Sequence, residues 1–361
     1  MDDPHLPARV LMTADTIGGV WTYAIELARA LDRNGVQVLL ATMGQPLSPD
    51  QWEDARSVPG LRIFESDFKL EWMDAPWEDV RRSGEWLLDL EADNRPDCVH
   101  LNTFAHGSLP WRAATVVVGH SCVLSWWRAV KGEPAPQDWN RYAQAVGCGL
   151  SGADVVVAPT KAMLAALESH YGRLPVCYVI RNGSSPVPVA PQVKEKFILT
   201  AGRLWDEAKN LSALDGIAPD LRWPVYAAGA AAGFKNVRTL GWQTRSCLAS
   251  WMGRAAIYAL PARYEPFGLS ALEAALAGCV LVLGDIPSLR EIWGAAAVYV
   301  PPDDREKLRG ALHELIRDSS QRLELAALAR ARALTYSPQR MADGYMKAYQ
   351  LARCVRDSRS G

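Results

Sequence analysis

Residues 263–282 read RYEPFGLSALEAALAGCVLV, and in them two carboxylates, Glu265 and Glu273, stand eight positions apart. Between the two lies Pro266-Phe267-Gly268-Leu269-Ser270, turn chemistry that opens a helix. The spacing predicts a helix from about residue 270, with Glu265 in the loop before it and Glu273 about one turn inside LSALEAALA. The first amides of a helix have no partner within it, so the turn offers a site for an anion such as phosphate. Glu273 falls among apolar residues, where an unpaired acid is costly, and a ribose diol is one partner that would satisfy it. A plain loop-to-helix junction, with Glu265 solvated and Glu273 only supporting the helix, has the same spacing. The surrounding chain has to separate the two readings.

Outward from that stretch, strand and helix patterns alternate. In the first half, short apolar runs at 9–13, 36–41, 97–102, 115–119, 154–158 and 176–180 each run into a loop, and the helix-like WTYAIELARALDRNG follows the first. SSPVPVAPQ, residues 184–192, is Pro-rich and aperiodic and reads as a linker. The pattern restarts with strands at 197–200, 225–228, 256–260, 280–284 and 297–300, and helices near 211–217, 244–253, 270–277 and 305–319. Residues 321–353 read as helix with a break at Ser337-Pro338. The class is α/β, with two parallel sheets covered by helices. Two such halves joined by a short linker predict a cleft that holds a ligand.

The 361 residues are enough for two domains and a large core. A formal net charge of −1 supplies no global field for nucleic acid or an anionic membrane, so any basic site must be local. The seven cysteines are scattered singly, most of them in apolar segments, and read as reduced core thiols in a cytoplasmic setting. MDDPHLPARV lacks the apolar core of a signal peptide, and no apolar run reaches the length of a membrane span. Of the 14 tryptophans, most read as core fillers. Trp126-Trp127-Arg128 with Lys131 forms a short aromatic and basic cluster, read here without an amphipathic helix. It leaves open a contact with a membrane surface, with a polysaccharide, or with neighbouring helices.

Three further groups stand at strand ends. TADTIGGVWTYAIELARAL sets Gly18 and Gly19 between strand and helix, where a backbone can approach a ligand; it lacks the dinucleotide GxGxxG. TAGRLWDEAKN places Arg203 and Lys209 six positions apart around a loop, two cations able to neutralise a leaving diphosphate or simply two surface charges. VVVGHSC ends a buried strand at His120, and HLNTFAHG carries the weaker candidates His100 and His106, with Asn102 and His106 read as lining an acceptor side. Asp303-Asp304 precedes a helix from Arg305 and reads as its cap rather than a metal site.

The order of glycine turn, His, Arg/Lys pair and Glu pair resembles the signature of retaining glycosyltransferases of family 4. That resemblance implies a GT-B fold, two Rossmann-like domains facing each other across a cleft. The acceptor-side domain would span 1–187, with a C-terminal helix at 339–361 packing back on it, and the donor domain 188–338. Glu265 and His120 would then contact the transferred sugar, Arg203 and Lys209 the diphosphate, and Glu273 the ribose. Gly18, Gly19, Phe267, Gly268, Leu269 and Ser270 would face the donor, and Gly241-Trp242 in Leu240-Gly241-Trp242 would lie beside the nucleobase. The implied partners are a nucleotide diphosphate sugar, as co-substrate with no separate cofactor or metal, and a carbohydrate or other hydroxyl acceptor. No nucleic acid is implied, and the setting is cytoplasmic, with the inner membrane face left open. AGCVLV, with Cys279 and Val280, and a shortened segment at 231–236 depart from the family pattern. A nucleotide-sugar epimerase on the same fold, or a degenerate binder without turnover, are the alternatives.

Overall fold

The computed structural model describes residues 6–187, 192–230 and 233–360; part of the linker, 188–191, and Ala231-Ala232 of the shortened segment lie outside them. The chain divides into two compact units. The first comprises Met1–Arg128, Glu133–Gly183 and Pro338–Gly361, the second Ser184–Ser337 with Ala129–Gly132.

The first unit runs β1 (Arg9–Asp15), α1 (Gly19–Arg33), β2 (Gln37–Met43), α2 (Pro49–Arg56), β3 (Leu61–Glu65), α3 (Trp77–Asn94) and β4 (Cys98–Leu101). It continues with β5 (Ala114–Val118), α4 (Val123–Lys131), α5 (Asn140–Gly152), β6 (Val155–Ala158), α6 (Lys161–Tyr171) and β7 (Val176–Val179). Its seven strands are all parallel, in the order β3-β2-β1-β4-β5-β6-β7. The central strands β4, β5 and β6 are buried along their whole length, which is why they read as mainly apolar runs, broken only by His100 and Thr115. β3 escaped the sequence reading because it is an edge strand whose residues are half-buried or exposed, with Arg62 and Glu65 among its five.

The second unit runs β8 (Glu195–Ala201), α7 (Leu211–Ile217), β9 (Val225–Ala228), β10 (Arg238–Gly241), α8 (Arg245–Arg254) and β11 (Ala255–Leu260). It continues with α9 (Leu269–Leu276), β12 (Val280–Gly284), α10 (Pro287–Trp293), β13 (Val298–Val300), α11 (Arg305–Arg317) and α12 (Ser319–Ala333). The parallel order is β10-β9-β8-β11-β12-β13. One core lies on the face of Tyr258 and Leu272, another on the face of Ile257 and Val225. β10, four residues with none buried, is the second strand that periodicity did not reveal.

The chain ends in α13 (Pro338–Ser360), which belongs to the first unit and packs on α1 and β5. Arg356 and Arg359 reach Asp154, whose side chain is fully buried at the start of β6. One Asp154 oxygen accepts from Arg356 at 2.9 Å and from the Thr115 amide at 2.9 Å, and the other accepts from Arg359 at 3.0 Å.

Two sequence expectations need correction. The thiols are not mostly core: Cys98, Cys122 and Cys279 are buried, whereas Cys148, Cys247 and Cys354 sit exposed on helices. The Trp126-Trp127 pair, stacked edge to face at 5.7 Å, does lie on an amphipathic helix, α4, whose Val123 and Leu124 pack partly on the core of the first unit, around Leu39, Val99 and Val156. Among the described residues no helix is long and apolar enough to cross a membrane. The tryptophans follow the expectation in part: Trp21 and Trp111 are buried, and Trp72, Trp77, Trp86 and Trp139 pack half-buried against the core of the first unit.

Candidate functional site

In the second sheet the chain reverses direction of travel between β8 and β11, and the loops leaving these two strands lie side by side at a topological switch point. Lys209 comes from the β8 loop and Glu265 from the β11 loop. Their side chains meet, Nζ to Oε2, at 2.6 Å, with 15% and 12% exposure. The approach is built by neighbours. Asn210, in the left-handed region at φ 57°, donates from its amide to the Pro261 and Pro302 carbonyls at 2.9 and 2.7 Å. The Arg263 amide donates to the Ala208 carbonyl at 2.8 Å. Asp206 accepts from the Ala208 amide at 3.0 Å and so shapes the turn carrying Lys209. Ser288 donates to the Glu265 carbonyl at 2.6 Å and fixes the far side of the loop.

Arg203 sits on the same β8 loop but is not joined to the Lys209–Glu265 pair. It lies 3.6 Å from Asp206 and 5.8 Å over the exposed Trp205 ring. Gly268, at φ 92°, occupies the N-cap of α9 in a conformation that glycine alone adopts without strain, and no side chain caps that helix. The amides of Leu269 and Ser270 therefore start the helix with an open end. The Ser270 hydroxyl lies 2.8 Å from the buried Tyr258 hydroxyl, which also reaches the Ala201 carbonyl at 3.2 Å. The Phe267 ring is 3% exposed and packs edge-on against Tyr336, so its backbone is the part that can face a ligand.

Glu273 is half-buried on α9, as its apolar neighbours suggested, and lines a cavity of about 300 Å³ with Arg245, Leu248, Met252 and Arg330. Gly241 and the 66% exposed Trp242 lie on the β10 edge, two strands from β8. A backbone bond from the Gly229 amide to the Gly241 carbonyl, 2.8 Å, links that edge to the end of β9. Asp304 accepts from the Lys307 amide at 2.9 Å and caps α11, while Asp303 pairs with Arg263 at 2.8 Å.

In the first unit, Gly18 is the N-cap of α1, with ordinary extended backbone, no capping side chain and no acid in the first turn. His120 follows β5, and its Nε2 lies 2.7 Å from Asn102 Oδ1. His100 is wholly buried, between Tyr349 at 2.7 Å on Nδ1 and Tyr23 and Asn102, both at 3.2 Å, on Nε2. His106 is buried and bonded to Ser83 and Thr103, each at 2.9 Å. Sequence reasoning did not find Tyr258, Ser288, Tyr23 or Tyr349, because lone hydroxyl residues in apolar or helical runs carry no spacing signal.

Burial pushes the pKa of His100 and His120 down to about 3 and that of His106 to about 4; for His100 the neighbouring His120 adds to the effect. Each takes up its proton on unfolding, when the ordinary value of 6.5 returns. Where the unfolded chain binds more protons, stability rises with pH. We therefore expect the thermal midpoint to fall as pH drops from about 6.5 to about 4.5, with net proton uptake on unfolding. Buried Glu71, raised by burial against the Phe104 and Ala105 amides, works in the opposite sense but is one group against three. A midpoint independent of pH in that window would contradict the burial of these rings.

Comparisons with known proteins bear on the family and the fold. The family model described as Glycosyltransferase Family 4 matches residues 17–186, and that described as Glycosyl transferases group 1 matches 195–318. The chain is 26% identical to the O-antigen chain mannosyltransferase B of Escherichia coli over 46% of its own length and 40% of that protein. It is 25% identical to a D-inositol 3-phosphate glycosyltransferase of Xylanimonas cellulosilytica over 95% of the chain and 94% of that protein. Among solved structures it is similar to the sucrose-phosphate synthase from Thermosynechococcus elongatus, with TM-score 0.78, 17% identity, and 95% and 98% of the two chains covered. It is also similar to Anabaena HepE in complex with UDP and glucose, with TM-score 0.71, 15% identity, and 94% and 98% covered.

Proposed function

We propose, from the premise that this chain belongs to glycosyltransferase family 4 and is a glycosyl-transferring enzyme of GT-B fold, that it moves a sugar from a nucleotide diphosphate donor to a hydroxyl acceptor with retention. The observation that carries this reading is the Lys209–Glu265 pair beside the open N-terminus of α9. A cation, two free amides and a carboxylate at one strand edge suit a group that is anionic at one end and polyhydroxylic at the other.

In this reading Arg203, Lys209 and the amides of Gly268, Leu269 and Ser270 receive the charge that grows on the departing diphosphate. Glu265 holds sugar hydroxyls and stabilises positive charge at the anomeric carbon. Glu273, in its cavity, takes the ribose, and Gly241-Trp242 borders the base. His120 serves the sugar, and Gly18-Gly19 leave room for donor or acceptor. Retention follows from attack on the face that the phosphate leaves, the phosphate oxygen taking the acceptor proton. These protein groups carry the charge, so we assign no separate cofactor or metal. The UDP and glucose bound to HepE support a nucleotide-sugar donor, and the inositol phosphate glycosyltransferase supports a polar hydroxyl acceptor.

The test is a thermal-shift screen of UDP, GDP, ADP and their sugar conjugates. A ligand present at 100 times its Kd stabilises the native state by about 2.7 kcal/mol, a rise of several degrees. We expect one base to give that rise, larger with its sugar attached. No rise with any of them would overturn the donor assignment.

A further inference from the structure

His120 has one ring nitrogen engaged, and the partner decides what the other can do. The Asn102 amide cannot be turned either way. Its Nδ2 lies 2.6 Å from the Thr13 carbonyl oxygen, a contact that requires a donor, and its backbone amide is held by Thr13 Oγ1 at 2.8 Å. Oδ1 therefore faces the histidines. It stands 2.7 Å from His120 Nε2 and 3.2 Å from His100 Nε2. A carbonyl oxygen only accepts, so His120 Nε2 must carry its hydrogen. The group behind is consistent with this polarity. His100 Nε2, 3.2 Å from the same accepting Oδ1, carries its hydrogen too, so the neutral ring's Nδ1 accepts from the Tyr349 hydroxyl at 2.7 Å. The Tyr23 ring packs edge-on against His120 at 4.4 Å, and His100 also packs against Tyr345 of α13 at 4.9 Å. Among the described residues nothing hydrogen-bonds His120 Nδ1.

We infer that Asn102, held by Thr13, is a positioning residue that locks His120 in the Nε2–H tautomer and presents its bare Nδ1 as a hydrogen-bond acceptor for a ligand hydroxyl. His100 and Tyr349 fill the space behind it and keep the amide from rotating. The strongly lowered pKa of His120 agrees, because a ring that stays neutral keeps Nδ1 available as an acceptor at every pH where the enzyme works. A phosphate oxygen, itself an acceptor, would find no partner there; a sugar hydroxyl would. The inference rests on the sugar-transfer reading only for the identity of that hydroxyl.

The first readout needs no variant and no substrate. Ring-nitrogen NMR of the full chain labelled with ¹⁵N-histidine, with His120 assigned by the signal lost in His120→Ala, should show Nε2 protonated and Nδ1 bare. A protonated Nδ1, or a mixture of tautomers, overturns the inference. The second readout is coupling. Asn102→Ala should lower turnover of the donor found by the screen by about tenfold or more, through the wrong tautomer. In the His120→Ala background the same change should cost less than about twofold, because a residue that acts through another is non-additive with it. Equal losses in both backgrounds would make Asn102 merely structural. If no nucleotide sugar is bound or turned over, the proposed function fails, while the ring-nitrogen spectrum still decides the tautomer.

Discussion

Lys209→Ala is expected to lower kcat by about 100-fold or more, while KM for the donor changes much less, once an acceptor is in hand. The size follows from when the charge appears. In the proposed mechanism the ground-state diphosphate is already bound by amides and by Arg203. As the glycosidic bond breaks, an additional charge forms on the leaving oxygen, and a cation already in place stabilises it without reorganisation. In this proposal that cation is Lys209, held by Glu265 at 2.6 Å and largely shielded from water. Its removal also leaves the Glu265 carboxylate without its ion pair, so the variant should lose some thermal stability, and donor should restore less of it than in the wild type. Lys209→Arg is no substitute, because a planar fork does not fit where a compact ammonium meets one carboxylate oxygen. Steady-state kinetics on the three proteins decide the matter, and wild-type kcat in Lys209→Ala would remove the lysine from the mechanism.

The second large effect concerns stability. Asp154→Ala should destabilise the first unit by about 2–4 kcal/mol, a fall in midpoint on the order of 10 °C. The carboxylate is fully buried and receives three partners, and its loss strands the buried Thr115 amide and two arginine heads. Arg356 keeps its bonds to the Trp111 carbonyl and the Thr115 hydroxyl at 3.1 and 3.0 Å, which limits the damage. Asp154→Asn, which still accepts from Thr115 but carries no charge, should fall between the two. Calorimetry or denaturant melts of the three proteins test this ordering. If Asp154→Ala melts with the wild type, the α13 anchor contributes nothing.

How far the sequence reaches is clear from these same residues. Strands buried on both faces, such as VVVA at β6, are legible because parallel sheets leave no polar face to interrupt them. The edge strands β3 and β10 are not, since exposure allows Arg, Glu and Thr to break the pattern. The loop position of Glu265 and the helical position of Glu273 followed from eight residues of local spacing. That Lys209 would pair with Glu265, 56 residues on, did not, because it depends on β8 and β11 being neighbours. Nor did the role of Asn102, whose geometry is set by Thr13 from a different strand.

The return of α13 to the first unit also fixes an order of events during synthesis. Residues up to Gly183 leave the ribosome with seven strands' worth of sequence but without the helix that covers α1 and β5. The second unit is contiguous apart from one four-residue segment already made, so it can close as soon as Ser337 emerges. At about 5–20 residues per second, the first unit waits roughly 10 to 30 s for its last helix. During that interval Tyr23 and His100 lack the tyrosines of α13, and Asp154 lacks its arginines. The later-made half of this chain is thus expected to reach its native state first, and the nascent first half is the part that a chaperone would meet.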